Sequence, residues 1–120
     1  FPSRAEGWNL ELLEMMAMGK PVITTNYSAH TEYCDKDNAM LVDIEKEESA
    51  FDGKWFFNQG DWAHLGEEQI DWFVDVLRTS YMIWKSTPDI FFNRNGVETG
   101  KRLTWANTAD IIKKNLEVYV

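Results

Sequence analysis

Glu6 and Glu14 stand on either side of an expected helix start, with Gly7 directly after the first of them. Gly7 lets the backbone come close to a ligand, and the first helical amides, from Trp8 through Asn9 to Leu10, present unpaired N–H groups and the positive end of the helix dipole. That combination is an anion site, and a diphosphate suits it. Glu14 lies about two turns beyond Glu6, placed to accept hydrogen bonds from a vicinal pair of hydroxyls such as a ribose diol, while Glu6 faces another part of the same ligand. Rival chemistries find little support. His30, His64 and Cys34 lack metal-ligand spacing, and Glu45-Lys46-Glu47-Glu48 lacks the calcium-loop pattern. Neither a Gly-x-Gly-x-x-Gly nor a P-loop motif occurs, and Ser28 and His30 adjoin without a nucleophile elbow around them. No metal site is expected.

The elements that must hold these residues are a loop, a helix and a strand. Leu10, Leu13 and Ala17, with Leu12, Met15 and Met16, recur at helical spacing. Gly19 stands where a left-handed C-terminal cap is wanted, and Pro21 forbids continuation. Pro21 to Thr25 reads as a short buried parallel strand, and Asn26 to His30 as the loop at its carboxyl end, where open α/β sheets place their ligands. A one-turn helix is expected from Thr31 to Cys34 with Thr31 as its cap. His30 is either a phosphate or sugar contact or a surface residue. Cys34 reads as a small packed residue, since no base sits at a recognisable spacing.

Glu6-Gly7-Trp8-Asn9-Leu10, with Glu14 and then Met16-Ala17-Met18-Gly19-Lys20-Pro21-Val22-Ile23, resembles the Glu-x7-Glu signature of retaining nucleotide-sugar glycosyltransferases of the GT-B fold, the group 1 type. Thr25-Asn26-Tyr27-Ser28-Ala29-His30-Thr31-Glu32 is similar to the small-residue loop and acid that follow there, and Asn38 to Val42 to its next strand. The likeness is close from Phe1 to Val42 and loose from Gly53 to Tyr81. It implies a catalytic Glu6 against the donor sugar hydroxyls, amides from Gly7 through Trp8 and Asn9 to Leu10 around the sugar and diphosphate, Glu14 on the ribose, and Ser28 lining the same cleft. It implies retaining transfer of a sugar from a nucleotide diphosphate to an acceptor, with the nucleotide sugar as substrate and no cofactor or metal ion. Phe1 begins directly at the loop, so the expectation is a C-terminal portion of a longer enzyme, inactive alone. The alternatives are a non-catalytic module that self-associates as a homodimer through a face the upstream half would cover, and an epimerase on the same fold.

The 120 residues suit one domain spanning 1–120, an α/β unit of partial Rossmann-like type: a parallel sheet with flanking helices and a helical C-terminal extension. The formal net charge of −8 argues against nucleic acid and anionic membranes as partners. No run has the length of a transmembrane segment, and the single Cys34 fits a reducing, cytoplasmic compartment. Further on, Ala39 to Val42 is the next strand, Asp43 to Ser49 a solvated acidic stretch, and Ala50 to Ala63 an ordered loop or small hairpin. Its Trp55, Phe56, Phe57 and Trp62 are either a carbohydrate-stacking platform or a cover for the sheet, and the packing reading is preferred. Glu67 to about Trp84 is an amphipathic crossover helix carried by Ile70, Phe73, Val74, Leu77, Tyr81 and Trp84. Thr87-Pro88 is expected to cap a helix running to Asn95-Gly96, and Thr104-Trp105 to start a last helix ending near Val118.

Overall fold

In the computed structural model, which describes residues 1–117, the expected first helix forms as α1, Leu10–Ala17. Asn9 caps it in the left-handed region (φ 62°), its side-chain oxygen accepting from the Leu12 amide at 3.3 Å. At the other end the Gly19 amide donates to Met16 and the Lys20 amide to Met15, a Schellman closure that requires the positive φ of Gly19 (75°). The chain then turns into β1, Ile23–Asn26, which pairs in parallel with β2, Met40–Asp43. The register sets Asn26 opposite Asp43, so both strands end level, and Asn26 donates through its side-chain Nδ2 to the Asp43 carboxylate at 2.9 Å.

Between the strands the expected turn of helix forms earlier and tighter than the sequence suggests, as a 3₁₀ turn over Ala29–Glu32. Ser28, not Thr31, precedes it, and the Thr31 hydroxyl donates back to the Ser28 carbonyl at 2.7 Å. The buried core joins Leu12, Leu13 and Met16 of α1 to Val22, Tyr33 and Cys34, with Ala39, Leu41 and Leu103 at its border.

The acidic stretch is not simply a solvated loop. Glu47–Phe51 forms β3, antiparallel to β4, Phe57–Ala63, with an irregularity between Ser49 and Phe51. The expected hairpin is therefore present, but its first strand starts inside the run of glutamates. Its aromatics do not cover the parallel sheet: Trp55 is 72% exposed and Phe57 54%. The amphipathic helix forms as α2, Glu67–Ser86, and leans on β2 and on a 3₁₀ turn at Pro88–Phe91. None of its side chains is fully buried, and a cavity of about 990 Å³ separates Trp72, Val76 and Ile83 from Val22, Met40 and Leu41.

The helix expected from Thr87 to Asn95 is divided. The 3₁₀ turn ends at Phe91, and Asn93 caps a separate helix, α3, Arg94–Arg102, by accepting from the Gly96 amide at 2.8 Å. Asn93 prevails because its side chain also donates to the Asn38 carbonyl at 2.8 Å and its amide to the Gly19 carbonyl at 2.8 Å, which ties this point to the end of α1. The last helix, α4, begins as expected at Trp105 and runs to Glu117; the expected end near Val118 lies outside the described residues.

The result is a mixed α/β arrangement with a small parallel sheet and helices, as expected in outline. No helix among the described residues is long and apolar enough to cross a membrane.

Candidate functional site

At the carboxyl end of β1 the backbone is held in an unusual shape. Ser28 adopts φ 72° with ψ −165°, a combination that only glycine reaches freely and that costs any other residue about 1–3 kcal/mol. The return is visible in two hydrogen bonds: the Glu6 amide donates to the Ser28 hydroxyl oxygen at 2.8 Å, and that hydroxyl donates to the Glu6 carbonyl at 2.7 Å. One side chain thus clamps both backbone groups of Glu6. Two residues assigned from sequence, 22 positions apart in the chain, meet directly.

The rest of the Glu6 loop is fixed by residues the sequence did not single out. The Ser3 hydroxyl donates to Glu6 Oε1 at 2.8 Å, and the Thr25 hydroxyl donates to the Ser3 carbonyl at 2.7 Å, anchoring the loop to β1. Tyr33, 3% exposed, donates its hydroxyl to the carbonyls of Trp8 (2.8 Å) and Asn9 (2.7 Å), and its ring lies 5.3 Å from that of Trp8. Burial, with smaller effects from Cys34, Glu6 and Glu11, holds this phenol above its ordinary range, so it stays a donor. A tyrosine after a polar loop carries no sequence signal of such a role.

These contacts shift the expected donors. Asn9 is buried and serves as the cap, so it faces inward, and the helix starts at Leu10. The Leu12 amide is taken by the Asn9 side chain and that of Leu13 by the Asn9 carbonyl. The amides of Leu10 and Glu11 have no partner among the described residues, so the open donors of the helix itself begin at Leu10, the last of the three expected from Trp8–Leu10. Gly7 has open space where a Cβ would stand and a backbone that does not require glycine. Glu14 is exposed on the second turn of α1, ~6 Å along the axis from Leu10. Nothing internal holds its carboxylate among the described residues.

His30 is neither a ligand contact at the surface nor an exposed residue. It is fully buried, with Nε2 2.7 Å from the Thr25 carbonyl and 3.1 Å from the Thr24 hydroxyl, and Nδ1 unpartnered among the described residues. It props the 3₁₀ turn against β1 from inside. Cys34 is likewise buried, and burial, helped by the charge of Asp35, pushes its thiol up to about 12, so it is no thiolate nucleophile at neutral pH.

On the outer side, Arg4 turns away from Glu6. Its guanidinium lies 4.1 Å from the centre of the Trp62 ring, pairs with Glu48 and donates through Nε to the Ala63 carbonyl at 2.9 Å, while the Ala63 amide donates to the Arg4 carbonyl at 2.8 Å. Glu48 also accepts from His64 Nδ1 at 2.7 Å. The β3–β4 hairpin is therefore bolted to the Glu6 loop. No group of acids, histidines and cysteine that could hold a metal ion occurs among the described residues.

The arrangement offers a pinned carboxylate, open helical amides and an accessible glycine at the level end of two parallel strands. It suits an anionic ligand bearing hydroxyls. No curated protein and no solved structure matches the chain. A family model described as "Glycosyl transferases group 1" matches residues 1–53, which include the Glu6 loop, α1, β1, Ser28 and β2, and this part of the chain is group 1 glycosyltransferase-like.

Proposed function

We propose that the chain carries the donor-binding part of a retaining transferase that moves a sugar from a nucleotide diphosphate to an acceptor. The observation that carries this reading is the Ser28 clamp on the Glu6 backbone, a strained residue spent on fixing the position of Glu6, whose carboxylate Ser3 holds, beside open helical amides. The family match over residues 1–53 supports it. In this reading the amides of Leu10 and Glu11, with the loop amides of Gly7 and Trp8, stabilise charge building on the leaving diphosphate. Glu6 orients the donor sugar through its hydroxyls, and Glu14 accepts from the ribose diol. The nucleotide sugar is the substrate, and the proposal requires no cofactor or metal.

The test is a titration of the chain with UDP, GDP and ADP, followed by amide chemical shifts. One of the three is expected to move the amides of Gly7 to Glu11, and Glu14→Ala to weaken that binding by about ten- to a hundredfold. Equal affinity of variant and parent would remove Glu14 from the site, and a folded chain that ignores all three diphosphates would remove the donor site itself.

A second reading, a self-associating module without catalysis, draws on the apolar rows that α2 and α4 leave exposed, such as Leu77, Tyr81, Ile112 and Leu116. Sedimentation that does not change with concentration would count against it.

A further inference from the structure

We propose that the β3–β4 hairpin is a stacking subsite for a neutral oligosaccharide, and that it places an acceptor next to the Glu6 loop. The acceptor role rests on the sugar-transfer reading above, whereas the stacking itself follows from the hairpin alone. Phe51 (57% exposed), Trp55 (72%), Phe56 (45%) and Phe57 (54%) present large apolar surface within seven residues, where folding alone would have buried it.

Their display is rigid. Asp52 Oδ1 accepts from the amides of Lys54, Trp55 and Phe56 at 2.8, 2.7 and 2.9 Å, and the Asp52 amide donates to the Phe56 carbonyl at 3.1 Å, so the tip that carries Trp55 is closed by five backbone groups. Phe51 and Phe57 meet edge to face at 6.0 Å, and Phe56 meets Trp62 at 5.7 Å. Rings held this way stack on a ligand without losing much freedom in doing so.

Charge decides what stacks. Between residues 44 and 63 five carboxylates face two lysines, which repels polyanions, anionic lipid and a second copy of the same hairpin. A sugar ring has an apolar C–H face for the aromatic ring and hydroxyls for the exposed Asn58, Asp61 and Asp52 beside it. The hairpin also touches the Glu6 loop of the proposed donor site. Arg4, two residues before Glu6, stacks on Trp62 and pairs with Glu48 of β3, and the Ala63 amide donates to the Arg4 carbonyl at 2.8 Å.

The test follows amide shifts and tryptophan fluorescence of the chain on addition of maltohexaose, cellohexaose, chitohexaose and xylohexaose, with UDP, GDP and ADP titrated into the same preparations. At least one hexasaccharide is expected to move the amides of Lys54 to Phe57. Trp55→Ala should weaken that binding by about tenfold, while Trp105→Ala, at a still more exposed tryptophan on α4, leaves it unchanged. Folded chain that ignores all four sugars overturns the subsite. So does binding indifferent to Trp55→Ala, and so do hairpin shifts that appear only with rising protein concentration or with phosphatidylcholine–phosphatidylglycerol vesicles. Hairpin shifts with sugar but none at Gly7 to Glu11 with any diphosphate would leave the subsite standing and take down the donor reading. The reverse pattern would remove the subsite alone.

Discussion

Gly7 and Ser28 show how single residues divide stability from function. Ser28 occupies backbone space that glycine would fill without strain, yet its hydroxyl holds both backbone groups of Glu6. Gly7 is the opposite case, a glycine that nothing inside the protein demands, since a Cβ there meets no atom within 4 Å and its φ is not positive. If its bareness serves a ligand, Gly7→Ala should keep or raise stability, by up to about 1 kcal/mol, and still weaken diphosphate binding by about tenfold. Urea unfolding and the same nucleotide titration check both halves, and undiminished binding would mean that no ligand approaches Gly7. Gly19 sits between these cases, because its φ of 75° and the Phe92 ring against it are demands of the fold alone.

At the scale of elements, α1 and α3 pack so closely that glycine spacing sets the contact. A Cβ on Gly100 would lie 2.4 Å from the Ala17 Cβ and 2.9 Å from its Cα, and one on Gly96 would lie 2.9 Å from the Met16 carbonyl oxygen. Gly100→Ala should therefore lower stability by about 1–3 kcal/mol in urea unfolding, with Ala17→Gly in the same chain restoring part of the loss. Additive losses from the two changes would mean that the helices are not in contact there. The hairpin tip makes a prediction about acid. Three backbone amides donating to the Asp52 carboxylate hold its pKa below the usual carboxylate range. The folded value is thus lower than the unfolded one of about 3.9, so the tip's ordering is complete above that pH and is lost as pH falls through the lower folded value. The amide shifts of Lys54, Trp55 and Phe56 should move together below about pH 4, and Asp52→Asn, which keeps an acceptor, should abolish that titration.

Among the described residues, burial is concentrated near the candidate site and is slight along α4. The core joins α1, the residues around β1 and β2, and Leu103, whereas α4 exposes Ile111 (59%), Ile112 (54%) and Leu116 (61%). Within α4, Asn107 is the residue that matters to the rest, since its side chain donates to the carbonyls of Lys101 and Arg102 and closes α3. Removing residues 110–120 should accordingly leave the thermal midpoint within about 2 °C of the parent, measured by circular dichroism. A larger fall would show that the apolar face of α4 contributes to the core after all.

The sequence alone determined α1, with its Gly19 closure and the stop at Pro21, the two parallel strands and the start of α4, and it named Glu6 and Ser28, which the structure brings into contact. Those features are local, written in apolar spacing and in residues with restricted backbone freedom, or fall in the stretch, residues 1–53, that the family model matches. Only the tertiary structure decided the rest. Asn93 split the expected helix because its partners, Gly19 and Asn38, are distant in sequence, and β3 formed in a run of glutamates because β4 supplied its ladder. His30 went inside because β1 offered it the Thr25 carbonyl, and the aromatics stayed outside because the hairpin stands on Arg4 and not on the sheet. Each of these outcomes turns on a partner that no local pattern names, and hydrogen bonds between distant backbone groups are settled only when the whole chain has closed.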